Sequence, residues 1–196
     1  TCREDIPEAL ECIKTSVYKM DGLLSGLLRL SRLGGQALRR EHLDVGEIIA
    51  EIRATFSYRL EELGARLEIG ELPPCVADRT QLNQVFSNLI DNALKYLDPG
   101  RPGRISVDGE ADGDEVRYSV ADNGVGIEPR DQERIFQLFQ RSSTAGADDG
   151  EGLGLTIVRR IRDRQGGAVT VEAEPGVGSR FVVSLPRRVA ETPEQA

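Results

Sequence analysis

Four short segments hold the residues whose types and spacing could do chemistry. The first is Asn88-Leu89-Ile90-Asp91-Asn92-Ala93-Leu94-Lys95-Tyr96. On a helix, residues three and four apart lie over one another, so Asn88, Asn92 and Lys95 share a face and Leu89, Ile90, Ala93 and Leu94 lie largely opposite. Two carboxamide oxygens beside an ammonium suit Mg²⁺ and phosphate, because a hard cation takes neutral oxygen ligands when phosphates bring the negative charge. An exposed polar stripe on an ordinary amphipathic helix would read the same way. The second segment, Asp122-Asn123-Gly124-Val125-Gly126-Ile127, follows an apolar strand. Asp122 stands where that strand ends, and a carboxylate there can accept a hydrogen bond from the exocyclic amine of adenine. Gly124 and Gly126 let a flat base approach the backbone, although Asn-Gly and Asp-x-Gly also form plain turns.

The third segment is Ile135-Phe136-Gln137-Leu138-Phe139-Gln140-Arg141. Its phenylalanines read as packing anchors and Arg141 as a phosphate contact. The fourth, Gly150-Glu151-Gly152-Leu153-Gly154-Leu155, opens a helix. N–H groups at a helix N-terminus bind anions, and glycines permit close approach of phosphate. The small polar tract before it, 142–150, has the composition of a lid. No G-x-G-x-x-G follows a strand, so a Rossmann site is not indicated.

The elements that must position these residues are legible in outline. Asp44 can cap a helix running to about Leu63, and Asp78 a second one with apolar positions Leu82, Val85, Phe86, Leu89, Ile90, Ala93 and Leu94. Gln81 follows Asp78 at capping-box spacing. Extended stretches are predicted at 66–69, 75–77, 104–107, 116–121, 168–173 and 180–185, a short helix at 129–136 and a third long helix at 153–165. Helices interspersed with antiparallel hairpins indicate an α+β fold, a mixed sheet with helices on one face. The domain is expected over 43–186, with a polar, unordered tail over 187–196.

Residues 1–42 form a preceding segment. Ile6, Leu10, Ile13, Val17, Met20, Leu24 and Leu27 are spaced 4, 3, 4, 3, 4 and 3 apart, the seam of a helix packed at a shallow angle against others. Leu23, Leu28 and Leu30 widen the stripe to the width a four-helix bundle needs. A packing helix of the following domain is the plainer alternative. The chain starts at Thr1 and reads as a fragment of a longer protein.

Composition excludes several function classes. The chain has 196 residues and a formal charge of -8, which disfavours broad binding to nucleic acid or anionic lipid. No apolar run approaches the roughly 20 residues that span a bilayer. The three cysteines, Cys2, Cys12 and Cys75, lack C-x-x-C spacing and fit a reducing cytoplasm. With a single histidine, His42, a multi-histidine metal site within one chain is excluded.

Taken in order and spacing, the four segments resemble the catalytic domain of the histidine kinases of two-component signalling, within the superfamily that includes gyrase, Hsp90 and MutL. Residues 88–96 resemble the N box, 122–127 the G1 box, 136–139 the F box and 150–155 the G2 box. The helix over 5–33 resembles the second helix of the dimerisation and phosphotransfer domain. The resemblance implies a Bergerat-type ATP-binding sandwich whose cofactors are ATP and Mg²⁺. It implies that Asn92 ligates Mg²⁺ with Asn88 beside it, and that Lys95, Tyr96 and Arg141 contact the nucleotide. Asp122 would bind the adenine amine, Gly124, Gly126 and Ile127 would shape its pocket, and Gly152, Leu153, Gly154 and Leu155 would cradle phosphate. The γ-phosphate would pass to a histidine on the first bundle helix, ahead of the helix seen here, so no catalytic residue is assigned and His42 is an ordinary linker residue. The implied partners are a second copy through the N-terminal helix, a response regulator receiver domain and an upstream sensor domain, in the cytoplasm.

Three departures and three alternatives accompany the resemblance. The stretch 97–103 is rich in Pro and Gly where a Ser or Thr often follows the tyrosine, Gly150-Glu151-Gly152 replaces the commoner Gly-Thr-Gly, and the lid is compact. A superfamily ATPase would need a glutamate where Asn88 stands, because an amide cannot take a proton from water. A serine kinase of the anti-sigma type would share the site but not the heptad helix. A non-catalytic dimerising module would be expected to have lost polar residues from the motifs.

Overall fold

The computed structural model describes residues 38–132, 134–136 and 154–187, together with Leu10, Lys14 and Val17. The chain divides into two units, Thr1–Ala37 and Leu38–Ala196. In the first, Leu10, Lys14 and Val17 are helical and exposed; Leu10 and Val17 are seam positions and Lys14 is not. The other seam positions lie outside the described residues, as does the tail beyond Arg187.

The second unit starts with β1 (Glu41–Leu43), α1 (Val45–Thr55) and α2 (Ser57–Glu62). It continues with β2 (Arg66–Ile69), β3 (Cys75–Ala77), α3 (Arg79–Lys95), β4 (Arg104–Asp112) and β5 (Glu115–Asp122). α4 (Pro129–Gln132), α5 (Gly154–Gln165), β6 (Ala168–Glu174) and β7 (Gly178–Pro186) complete it. Five strands form one sheet in the order β2-β4-β5-β7-β6, and β1 pairs with β3 in a separate two-stranded ribbon. The β2–β4 pair is parallel and the other three pairs of the large sheet are antiparallel, which makes the sheet mixed.

Register explains how the sheet presents its faces. Residues directly opposite on paired strands share a face and alternate along each strand. Leu67, Ile105, Val107, Val116, Tyr118, Val120, Phe181, Val183 and Leu185 fall on one face by this rule, and all are buried. The opposite face carries Glu68, Arg104, Glu110, Arg117, Glu172 and Arg180, linked by rim ion pairs such as Arg104–Glu68 and Arg180–Glu172. α3 packs on β4 and β5, and α5 on β6 and β7, covering the apolar face. Phe86 of α3 meets Tyr118 of β5 edge to face with ring centroids 5.7 Å apart.

Capping and local competition set the helix bounds. Asp44 Oδ1 accepts the N–H groups of Gly46 and Glu47. The predicted single helix to Leu63 is broken at Phe56, where Thr55 Oγ1 donates to Glu51 O and Ser57 Oγ to Ala54 O. Hydroxyl bonds back to main-chain carbonyls bend a helix. Asp78 Oδ1 accepts from Gln81 N at 3.1 Å while its Oδ2 accepts from Arg39 N at 3.0 Å, so one carboxylate caps α3 and ties down the chain ahead of β1. Only this half of the expected capping box forms, since Gln81 Oε1 is buried without a partner among the described residues. His42, expected in a linker, is an exposed strand residue opposite Val76.

Candidate functional site

Among the described residues, α3 packs on both α5 and β5, and it carries four of the predicted site residues, Tyr96 as its C-cap. Asn88 and Asn92 lie on α3, both half-buried. Gly154 opens α5 directly against Asn88: a Cβ on Gly154 would come within 3.4 Å of Asn88 Oδ1. Asn88 Nδ2 is buried and has no hydrogen-bond partner among the described residues. An orphaned carboxamide of this kind, next to a second carboxamide and a helix N-terminus, fits a ligand bearing phosphate and a hard cation. Leu155 follows on α5 and is half-buried. Arg141, Gly152 and Leu153 lie outside the described residues. Phe136 packs edge to face on Phe181 of the sheet's inner face at 6.2 Å, the anchoring role expected of it.

Lys95 ends α3 and its Nζ lies 2.7 Å from Asp91 Oδ2. Arg59 Nη1 holds the other oxygen of Asp91 at 2.5 Å. Asp91, which the helical projection sets off the Asn88–Asn92 face, is thus ion-paired through both oxygens. Tyr96 is the C-cap residue, and its carbonyl accepts Val125 N at 2.9 Å. This bond joins the end of the asparagine helix to the glycine loop after β5.

Asp122 is in phase with Val116, Tyr118 and Val120, so strand alternation turns its side chain to the helix-covered face. Burial raises its carboxyl pKa to about 6. The N–H groups of Gly124 and Ser179 and the charge of Arg101 act in the opposite direction, and Gly124 N donates to Asp122 Oδ1 at 2.9 Å. The surrounding backbone is tightly packed. A Cβ on Gly124 would sit 2.1 Å from Tyr96 O, one on Gly126 2.0 Å from Glu174 O, and one on Gly178 2.0 Å from Asp122 O. Gly126 also has φ +73, which a side chain rarely adopts. Ile127 is buried beside them.

Two residues outside the predicted set complete this loop. Asn123 accepts Arg104 N through Oδ1 at 2.7 Å and donates through Nδ2 to Pro102 O at 2.9 Å. Arg101 donates to Gly124 O at 2.7 Å and to Gly176 O at 2.8 Å. The sequence shows only that 97–103 is rich in Pro and Gly; the partners of Arg101 lie 23 and 75 residues away.

Residues 77–189 match the sequence profile of the family described as histidine kinase-, DNA gyrase B- and HSP90-like ATPase. The chain belongs to this ATPase family. Phytochrome-like protein Cph1 of Synechocystis sp. is 36% identical over 183 residues, covering 93% of this chain and 24% of its own length. Sensor-like histidine kinase SenX3 of Mycobacterium tuberculosis is 31% identical over 206 residues, 98% of this chain and 49% of its own. The chain therefore spans half or less of these curated relatives. Full-length ShkA, solved in complex with AMPPNP, superposes with a TM-score of 0.74 at 33% identity, over 89% of this chain and 37% of that one. The catalytic domain of histidine kinase ThkA superposes at 0.66 and 28% identity, over 76% of this chain and 98% of that one. The α+β fold of this family member is thus the fold of histidine kinase catalytic domains, and its ATP-binding domain is of the histidine kinase type. ThkA has also been solved in complex with a response regulator, TrrA, with a TM-score of 0.70 to this chain. Among the described residues, no helix is long and apolar enough to cross a membrane.

Proposed function

We propose that this chain is the nucleotide-binding part of a sensor histidine kinase, and that Mg²⁺–ATP binds along the seam from Asp122 to Asn88. The observation that carries the reading is the convergence of three features: a strand-end carboxylate on the covered face, a glycine loop closed against α3, and an orphaned carboxamide facing the start of α5. Bound Mg²⁺–ATP supplies the γ-phosphoryl group and the counter-charge for its transfer. Asp122 accepts the adenine amine. Gly124, Gly126 and Ile127 leave a flat, backbone-lined wall for the base. Asn92, with Asn88 beside it, offers neutral oxygens for the cation, and the N–H groups at Gly154 and Leu155 face phosphate, with Gly152, Leu153 and Arg141 as further contacts. Lys95 exchanges Asp91 for phosphate, while Arg59 keeps Asp91 neutralised. Such a site works by positioning and charge neutralisation, without covalent help from the protein.

Asp91 also bears on the choice between kinase and hydrolase. A hydrolase needs a base to deprotonate water. Asn88 cannot serve, and Asp91 stays paired with Arg59 when Lys95 turns to phosphate. This favours transfer to a histidine other than His42, on the first helix of the bundle, followed by relay to a response regulator aspartate. The expected assembly is a homodimer through the N-terminal helix in the cytoplasm, under an upstream sensor domain. Calorimetry tests the reading. Asp122→Ala is expected to weaken Mg²⁺–ATP binding at least about tenfold, the value of a lost charge-assisted hydrogen bond. An unchanged affinity removes the basis of the proposal.

A further inference from the structure

The turn after α3 is built to aim one arginine. Asp98 Oδ1 accepts Gly100 N at 2.8 Å and Asp98 O accepts Arg101 N at 3.3 Å, with Pro99 at the position that presets the turn. Arg101 Nη2 then donates to Gly124 O at 2.7 Å, Gly176 O at 2.8 Å and Val177 O at 3.2 Å. Its Nε stands 3.5 Å from Asp98 Oδ2, an ion pair without hydrogen-bond alignment. One guanidinium thereby joins three segments, the 98–101 turn, the loop after β5 and the β6–β7 turn. All three carbonyls converge on the one nitrogen Nη2, whose two hydrogens they share, so the arginine's reach and orientation set the junction.

The positions it grips are not arbitrary. Asp122 receives two backbone N–H groups, those of Gly124 and Ser179. Gly124 is held by Arg101 through its own carbonyl, and Ser179 is two residues beyond Val177, whose carbonyl Arg101 also holds. Between them, Gly178 packs its Cα on Asp122 O with no room for a Cβ. A second tie between the two loops runs from Gly176 N to Val125 O at 2.8 Å.

We infer that Arg101 is a positioning residue for purine discrimination: by locking both loops that orient the Asp122 carboxylate, it sets selectivity for a base carrying an exocyclic amine over one carrying an oxygen. This rests on the reading of Asp122 as the adenine contact. A merely structural staple would affect every nucleotide alike; Gly124 also lines the base wall, so a small loss is shared, but a residue that aims one carboxylate weakens the ligand that uses it much more.

The experiment compares ATP with inosine triphosphate, which has a carbonyl oxygen in place of the amine, by calorimetry on the 196-residue chain. Arg101→Ala is expected to raise the Kd for ATP about tenfold, the scale of a charge-assisted bond lost to disorder, and to leave that for inosine triphosphate within about twofold. Arg101→Lys, which keeps the charge without the fork, is expected to lose ATP affinity by about threefold and decides the matter if the alanine variant does not fold. Asp122→Ala, run alongside, is expected to abolish the preference. An ATP affinity that survives in both Arg101 variants, or equal weakening of both nucleotides, overturns the inference. If Asp122→Ala weakens ATP and the Arg101 variants do not, this inference alone falls. If Asp122→Ala has no effect, the nucleotide reading falls with it.

Discussion

A carboxylate on the covered face of a sheet is an unusual tenant, and Asp122 is held there by two N–H groups and a neighbouring cation that only partly offset its desolvation. Its folded pKa, about 6, exceeds the ordinary aspartate value of 3.8. Between these values the folded chain keeps a proton that the unfolded chain has released. Stability contributed by this group is therefore present at low pH and falls as pH rises through that window. The loss is about 3 kcal/mol in total, at 1.36 kcal/mol per pKa unit. Chemical denaturation of wild type and Asp122→Asn at pH 4 and pH 7 checks this: wild type should lose more stability on going to pH 7, by a few kcal/mol. Equal losses would mean that the carboxyl is not desolvated. Nucleotide binding should show the opposite trend. The ionised carboxylate is the stronger acceptor for adenine's amine, so ATP affinity should rise as pH rises through about 6 and level off above it.

The elements position this residue by pairing and packing. α3 is the central support: its outer positions carry Asn88, Asn92 and Lys95 while Phe86, Leu89 and Ile90 are fully enclosed against the sheet. Phe86→Ala removes a ring from this junction and leaves a cavity, with an expected cost of about 3–5 kcal/mol in denaturant unfolding. A loss below about 1 kcal/mol would mean that α3 is not fixed to the sheet through Tyr118. Much of this level was legible in the sequence. The strands Arg66–Ile69 and Cys75–Ala77 match the expected extended stretches, because Pro73-Pro74 and Asp78 bound them sharply. The cap at Asp44 was legible as well, but not the break at Phe56, which depends on which of two acceptors the Thr55 and Ser57 hydroxyls choose. β1 was missed because Glu-His-Leu has no alternation of its own and is a strand only by virtue of β3. Arg101 and Asn123 escaped for a similar reason: their roles are defined by carbonyls and N–H groups, which every residue possesses and no sequence pattern marks. Asp122 was legible because strand phase and the following glycines are both local.

At the scale of the whole molecule, the reading makes this chain competent to bind ATP and unable to accept its phosphate. The sequence holds one histidine, and that residue is committed to β1, paired against Val76 in the ribbon that precedes α1. A phosphoryl acceptor must reach the γ-phosphate in line, so a strand residue fixed by its own ladder is poorly placed to serve. Incubation of the 196-residue chain with γ-labelled Mg²⁺–ATP is therefore expected to give saturable binding without incorporation of label. His42→Ala should behave as wild type in both respects. Restoring transfer should require a second polypeptide that carries a histidine on a bundle helix, and the label should then appear on that polypeptide alone. Label on this chain that vanishes in His42→Ala would place the acceptor on β1 and overturn the division of labour proposed here. Steady release of inorganic phosphate at a rate that Asp91→Asn abolishes would instead identify Asp91 as a base freed from Arg59 and Lys95, and the chain as a hydrolase.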